Sequence, residues 1–289
     1  MSGDDGAAPV EARRVGTFTV TALNDAVGVF PVSVDVAFPG ASPSALAAAR
    51  ELDPRACDEP SVWRLSFRAF AVRGDDGRVL VVDLGVGSEH SPASRWAPTP
   101  GRLPLAMAAA GIRPEDVDVV VLTHLHSDHC GWVLGDDGEP LFGNAEHVIQ
   151  HRELESLTEE SSPGLRQHVV EPLRRGDLLR PIRGRQVLRS AGRSTVAAVP
   201  TPGHTPGHQS VVVTSSHDIV VVTGDAFVHA AQLADPTTSY VHEDDPTRAA
   251  ATRDQLLELA GGGRSALATA HTMRPFFDVD DGAVQRPAP

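Results

Sequence analysis

Apolar residues along this chain fall in short β-branched runs, broken by glycine, proline and acidic turns. The clearest run, Val117-Asp118-Val119-Val120-Val121-Leu122, predicts a buried strand from its length and branching. Earlier strands are predicted at Gly16–Ala22, Val32–Phe38, Val62–Val72 and Val79–Asp83, the last two flanking a hairpin turn, Arg73-Gly74-Asp75-Asp76-Gly77. In the second half, Val196–Val199, Gln209–Thr214, Ile219–Thr223 and Ala266–Ala270 read the same way. Helices are predicted at Pro43–Leu52, Leu103–Ala110, His151–Leu157 and Gly164–Arg174. Asp245-Pro246 opens another, with an aspartate N-cap, a proline in the first turn and Gly261-Gly262-Gly263 beyond its end. Thr252, Leu256 and Leu259 form its predicted inward stripe. Strand hairpins followed by helices, twice over, predict an α/β fold: two packed sheets with helices outside, a four-layer αββα sandwich. Residues 1–14 read as a flexible tail, 15–278 as a single domain and 279–289 as a polar C-terminal end. Within the domain, 15–61 form an N-terminal extension, read as a lid or a dimer arm that would make the protein a homodimer.

Composition narrows the partners. A formal net charge of −13 argues against nucleic acid, whose phosphates need a basic surface. All 25 basic residues are arginine, which excludes a catalytic lysine. Aromatic residues make up 4% of the chain, so the core is expected to be mostly valine, leucine and alanine. No apolar run approaches a membrane span, and the first residues lack the basic and apolar regions of a signal peptide. Cys57 and Cys130 are too few for a disulfide scaffold, and a cytoplasmic location is expected.

The candidate chemistry sits where apolar runs end. Directly after the Val117–Leu122 run comes Thr123-His124-Leu125-His126-Ser127-Asp128-His129. In an extended chain His124 and His126 share a face, and a turn then lets Asp128 and His129 face the same point. A lone histidine is more often a packing residue than a ligand, but other donors stand at corresponding places. His204 lies in Pro200-Thr201-Pro202-Gly203-His204-Thr205-Pro206-Gly207-His208, Asp225 follows the Ile219–Thr223 run, and His271 follows the Ala266–Ala270 run. Imidazole and carboxylate donors suit zinc, iron, manganese and similar divalent ions, with room for two.

Over roughly Val62 to Pro275 the chain resembles the metallo-β-lactamase superfamily of hydrolases. His124, His126, Asp128 and His129 match its H-x-H-x-D-H motif. The resemblance implies one metal site of His124, His126 and His204 and a second of Asp128, His129 and His271, joined by Asp225. Asp83 resembles a strand-end aspartate that supports such a site without being a ligand. The implied cofactors are two divalent metal ions, zinc foremost, with iron, manganese or cobalt also compatible. The implied mechanism is attack by a metal-bridging hydroxide that Asp128 and Asp225 orient, those two being the catalytic carboxylates. His208 and His229 read as loop-fixing residues, the second also near enough to Asp225 to touch substrate, and Cys130 reads as packing. His147, His151 and His168 read as surface or packing residues. Phe30, Phe38, Trp63, Trp132, Phe227 and Phe276 are candidates to line a pocket.

Gly224-Asp225-Ala226-Phe227-Val228-His229, with Gln232, Asp235-Pro236 and Pro114–Leu122, is similar to the methyl parathion hydrolase branch. His204-Thr205-Pro206-Gly207-His208-Gln209-Ser210 is similar to the quorum-signal lactonases as well. Those lactonases carry a tyrosine three residues after the bridging aspartate, where this chain has Val228; its only tyrosine is Tyr240. The resemblance therefore implies a small-molecule lactone or carboxylic ester as substrate. Phosphotriester or thioester hydrolysis is the alternative within enzymes, and a catalytically silent, metal-stabilised binding module is the alternative of another class.

Overall fold

The computed structural model describes residues 11–56, 62–158, 164–262 and 264–286. The first ten residues of the predicted tail, Cys57, Gly263 and the last three residues lie outside these. Two seven-stranded sheets form the centre. The first runs in chain order through β1 (Ala12–Val15), β2 (Phe18–Val29), β3 (Arg64–Gly74), β4 (Val79–Val82), β5 (Val117–Val121), β6 (Glu146–Gln150) and β7 (Leu179–Ile182). Its first four strands pair antiparallel and its last four parallel. The second sheet contains β8 (Gln186–Ala191), β9 (Ser194–Pro200), β10 (Gln209–Thr214), β11 (Asp218–Val222), β12 (Arg264–Ala268), β13 (Phe276–Asp280) and β14 (Ala283–Val284). Only β11 and β12 pair parallel there, joined by a helical crossover.

The helices are α1 (Val34–Ala37), α2 (Pro43–Leu52), α3 (Leu103–Ala109), α4 (His151–Ser156), α5 (Glu171–Arg175), α6 (Ala230–Ala234) and α7 (Pro246–Ala260). Alternation along the strands separates three apolar cores. Leu80, Val82, Val119 and Val121 face Val211, Val213, Val220 and Val222 between the sheets. The neighbouring Val79, Val81, Val117 and Val120 point the other way, under Leu103 and Met107 of α3 and Leu173 of α5. On the far side Val212, Val221 and Leu267 meet α2 and α7 through Leu52, Leu256 and Leu257. Strands buried on both faces need these continuous apolar runs, which explains why β4, β5, β10 and β11 were legible in the sequence. The expected αββα sandwich is the fold.

Several local expectations are corrected. Val32–Phe38 is not a strand; it contains α1, because Val34, Ala37 and Phe38 bury one helical face while Val36 stays 52% exposed. The inward stripe of α7 uses Ala249, Thr252, Arg253, Leu256 and Leu257, whereas Leu259 points outward. The predicted Gly164–Arg174 helix is a π-helical turn, Arg166–Val170, followed by α5. The predicted ends are shorter than expected, since Ala12–Val15 pair with β2 and β13 and β14 run to Val284. Of the N-terminal extension, Phe18–Val29 belong to the first sheet, and Phe30, Pro31 and Val32 line a cavity.

A bulge in β2 positions the loop that leads into the site. The register slips between Asn24 and Ala26, leaving Asp25 buried and turned out of the ladder. Its carboxylate accepts from the backbone N–H groups of Val86 (2.6 Å) and Leu103 (2.6 Å) and from Trp132 Nε1 (2.9 Å). One buried acid thereby anchors the segment after β4, the start of α3 and the turn after the histidine motif.

Candidate metal centre

Loops at one end of both sheets bring the predicted side chains together. His124, His126, His204 and Asp225 form one group, and Asp128, His129 and His271 form another; the donor atoms in each lie within 4.8 Å of one another. His126 Nδ1 and His204 Nε2 are 3.0 Å apart, as are His129 Nε2 and His271 Nε2. Asp225 stands between the groups. Its Oδ2 lies 3.3 Å from His204 Nε2, and its Oδ1 lies 3.1 Å from both His129 Nε2 and His271 Nε2. Asp128 Oδ2 is 3.6 Å from His129 Nε2 and 3.5 Å from His271 Nε2.

Surrounding groups decide which nitrogen of each ring faces inward. Asp83, at the end of β4 with φ of 58°, accepts from the Thr123 backbone N–H (2.7 Å) and the Thr123 hydroxyl (2.9 Å). The same carboxylate accepts from His129 Nδ1 at 2.9 Å. With its proton committed to Asp83, the Thr123 oxygen accepts from His124 Nδ1 at 3.0 Å. His271 Nδ1 donates to the Ser66 carbonyl at 2.9 Å. His124, His129 and His271 are thus held with Nε2 pointing inward. His129 Nε2 and His271 Nε2 approach to 3.0 Å in a buried space, and His124 Nε2 is buried with no hydrogen-bond partner. Two inward ring nitrogens this close, beside two carboxylates, suit a shared cation, whether a proton or a metal ion, and nitrogen and carboxylate donors in this number fit divalent metal ions.

Electrostatics point the same way. Burial would raise the Asp225 carboxyl, yet His129 and His271 hold it well below the usual carboxylate range. Burial opposes charge on His129, but Asp225, Asp128 and Asp83 outweigh it and hold that imidazole well above its ordinary value. His124 stays well below its ordinary value through burial and its imidazole neighbours. Burial likewise lowers His204 well below its ordinary value, against the pull of Asp225.

The remaining histidines sort by what they touch. His208 accepts the Asp225 backbone N–H at Nε2 (3.0 Å), and its Nδ1 donates to the Thr201 carbonyl (2.9 Å), so it fixes the Asp225 loop, as expected. Gly224 makes that approach feasible, because at φ of 53° a Cβ would lie 2.7 Å from His208 Nε2. His229 fixes its own loop, capping α6 by accepting from Ala231 N–H and packing on Phe38 and Trp63, and it is not among the residues lining the cavity, where a contact with substrate was the further expectation. Cys130 is buried, its thiol donating to the His126 carbonyl, and burial pushes it well above its ordinary value.

A cavity of about 650 Å³ opens over the centre, bounded by His126, Asp128, His204, Asp225 and His271. Phe30, Trp63, Leu65, Trp96 and Tyr240 add aromatic and aliphatic lining. Phe30 and Trp63 were expected there. Phe38 sits behind them, while Trp132, Phe227 and Phe276 belong to the three inter-layer cores. Trp96 was missed, since a lone tryptophan in a Ser/Pro-rich loop carries no periodic signal; its indole N–H donates to Ser127 Oγ at 3.1 Å, beside the motif.

Known proteins extend the resemblance. The model of the family described as the metallo-beta-lactamase superfamily matches residues 68–271. The chain belongs to the metallo-beta-lactamase superfamily. A protein of Mycobacterium tuberculosis named as a probable metallo-hydrolase is 33% identical over 192 residues, 58% of this chain and 59% of that one. An N-acyl homoserine lactonase of Bacillus cereus is 32% identical over 133 residues, 43% of this chain and 44% of that one. This superfamily member therefore spans about three fifths of the mycobacterial relative's length. Among solved structures, the hydrolase AbOPH of the beta lactamase superfamily aligns with a TM-score of 0.75 at 23% identity over 98% of each chain. AidC, a dizinc quorum-quenching lactonase solved with a product bound, aligns with a TM-score of 0.72 at 16% identity over 97% of each chain. At these identities the solved structures show the shared sandwich. Among the described residues, no helix is long and apolar enough to cross a membrane.

Proposed function

We propose that the protein is a dinuclear metal-dependent hydrolase of lactones or other carboxylic esters. The observation that carries this reading is Asp225, whose two oxygens each stand within 3.3 Å of an imidazole nitrogen from a different donor group. In this reading His124, His126 and His204 hold one cation, Asp128, His129 and His271 hold the other, and Asp225 is shared. Divalent cations held there would supply Lewis acidity, which lowers the pKa of a coordinated water from about 15.7 to about 7 and polarises a carbonyl.

The chain's own residues account for the rest. Asp128 and Asp225 both reach the cavity, where their carboxylates can orient an attacking water, and Asp128 can take up its proton. Tyr240 lies on the cavity wall with its ring parallel to His204, 6.2 Å between centroids. Burial, with Asp225, Asp128 and Glu243 nearby, raises its phenol above the ordinary value, so it keeps its proton and can donate to a substrate oxygen. Phe30, Trp63 and Trp96 offer an apolar wall to the acyl or aryl part of the substrate. A neutral lactone or ester suits this combination of an apolar wall and a protonated phenol. The relatives with lactonase names support the same substrate class.

A neutral phosphotriester with an aryl leaving group is the second reading, favoured by that aromatic wall. The test is turnover of the zinc-loaded protein on matched lactones, aryl esters, thioesters and aryl phosphotriesters. The expected result is a kcat/KM highest for a lactone or carboxylic ester, abolished by chelation. A phosphotriester or thioester in first place would reassign the substrate, and binding of zinc without turnover on any of them would favour a binding module.

A further inference from the structure

Glu153, on α4, belongs to neither donor group, yet it ties together the loops that carry the first one. Its residue is 3% exposed. Oε1 accepts from the Leu125 backbone N–H at 2.8 Å, the peptide between His124 and His126. Oε2 accepts from the Thr205 hydroxyl at 2.7 Å and the Gly207 N–H at 3.0 Å, both from the loop that carries His204. Three donors converge on one buried carboxylate. A Cβ at Gly207 would lie 2.1 Å from the Glu153 backbone nitrogen, so glycine is required for the loop to come this close.

The two loops come from different sheets, β5 leading into one and β9 into the other, and the tie crosses from sheet to sheet. Resting on the metal-centre reading above, we propose that Glu153 is a positioning residue of the first metal subsite. It sets the spacing of His124 and His126 relative to His204 and places a buried negative charge behind them. It makes no such contact with Asp128, His129 or His271, whose supports are Asp83 and the Ser66 carbonyl. Groups that hold metal ligands in place typically alter metal affinity by about 10- to 100-fold when changed. The effect here should be confined to one of two subsites.

The test is calorimetric titration of zinc into metal-free full-length protein, for wild type, Glu153→Gln and Thr205→Val. Glutamine keeps the shape but removes the charge and turns an N–H2 toward a donor. The expected result is two binding events in wild type, with one weakened about 10- to 100-fold in Glu153→Gln and the other unchanged, in a variant that stays folded at the titration temperature though it melts lower than wild type. Thr205→Val should weaken the same event by a smaller factor, and it decides the matter should Glu153→Gln fail to fold. Unchanged zinc binding in the folded variant, or equal weakening of both events, would overturn the assignment. Wild type that binds no zinc at all would instead remove the metal-centre reading on which the assignment rests.

Discussion

At the scale of single residues, Asp225 and Asp83 matter most to the site, for different reasons. Asp225 touches both donor groups, so Asp225→Ala should lower hydrolysis at least about 100-fold and reduce bound zinc below the wild-type value, read by turnover and elemental analysis. Asp83 touches no predicted metal position but holds the His129 ring and the Thr123 hydroxyl. Asp83→Ala should weaken zinc binding about 10- to 100-fold, measured by competition with a chromophoric chelator. Equal zinc affinity in that variant would mean the His129 ring needs no help to present Nε2. The seven donors were legible because each stands at the end of an apolar run, where a strand's rigid backbone delivers a side chain to a shared edge. Asp25, Arg68 and Glu153 were not legible. Arg68 is buried and donates to the carbonyls of Thr269 (2.8 Å) and Thr272 (3.0 Å), around His271, but nothing in a sequence distinguishes it from a surface arginine. The partners of such residues are distant in the chain, and only folding reveals them.

At the scale of elements, α7 does more than cover a sheet. Its Arg253 is fully buried, paired with Glu243, and donates to the carbonyls of Pro236 (2.6 Å) and Thr238 (3.1 Å). Glu243 also accepts from Gln232 Nε2 and from the Tyr240 backbone N–H, so the loop bearing Tyr240 hangs on this pair. Removing one partner of a buried pair leaves an uncompensated charge, and Arg253→Met should cost about 3–5 kcal/mol in urea unfolding. The N-cap of α7 is a smaller matter: Asp245 accepts from Arg248 N–H at 2.9 Å, and Asp245→Ala should cost about 1 kcal/mol. An Arg253→Met variant as stable as wild type would show that the pair is dispensable. The start of α7 was readable from Asp245-Pro246, a local signal, whereas its inward arginine was not, because the stripe was read from uncharged residues alone. The same weakness produced the false strand at Val32–Phe38. Short segments that pack on another element rather than pair in a sheet follow tertiary contacts more than periodicity. β6, β7 and β8 carry His, Arg, Gln and Pro residues among their apolar positions, which hid them from a search for apolar runs.

At the scale of the whole molecule, acidity should unfold the protein through histidines buried neutral. Burial lowers His147 and His229 from 6.5 to about 4. Between those values the unfolded chain binds protons that the folded one does not, so stability falls as pH drops below 6.5 and the loss is complete below about 4. Each histidine accounts for up to about 3 kcal/mol of that loss, an order-of-magnitude figure from about 1.36 kcal/mol per pKa unit. Urea midpoints measured from pH 7 to pH 4 on metal-free protein should decline steadily; a flat profile would contradict the burial of these rings. The αββα sandwich was legible at this scale because its central strands are buried on both faces and announce themselves as apolar runs. The cavity was less so, since its aromatic wall is assembled from Phe30, Trp63, Trp96 and Tyr240, residues far apart in the chain.

In the proposed centre one aspartate, Asp225, joins two metal subsites. Anomalous diffraction at the zinc edge from crystals of the zinc-loaded protein tests it most directly. Two peaks are predicted, one among His124, His126 and His204, the other among Asp128, His129 and His271, with Asp225 between them. A single peak, or none within this cluster, would contradict the account.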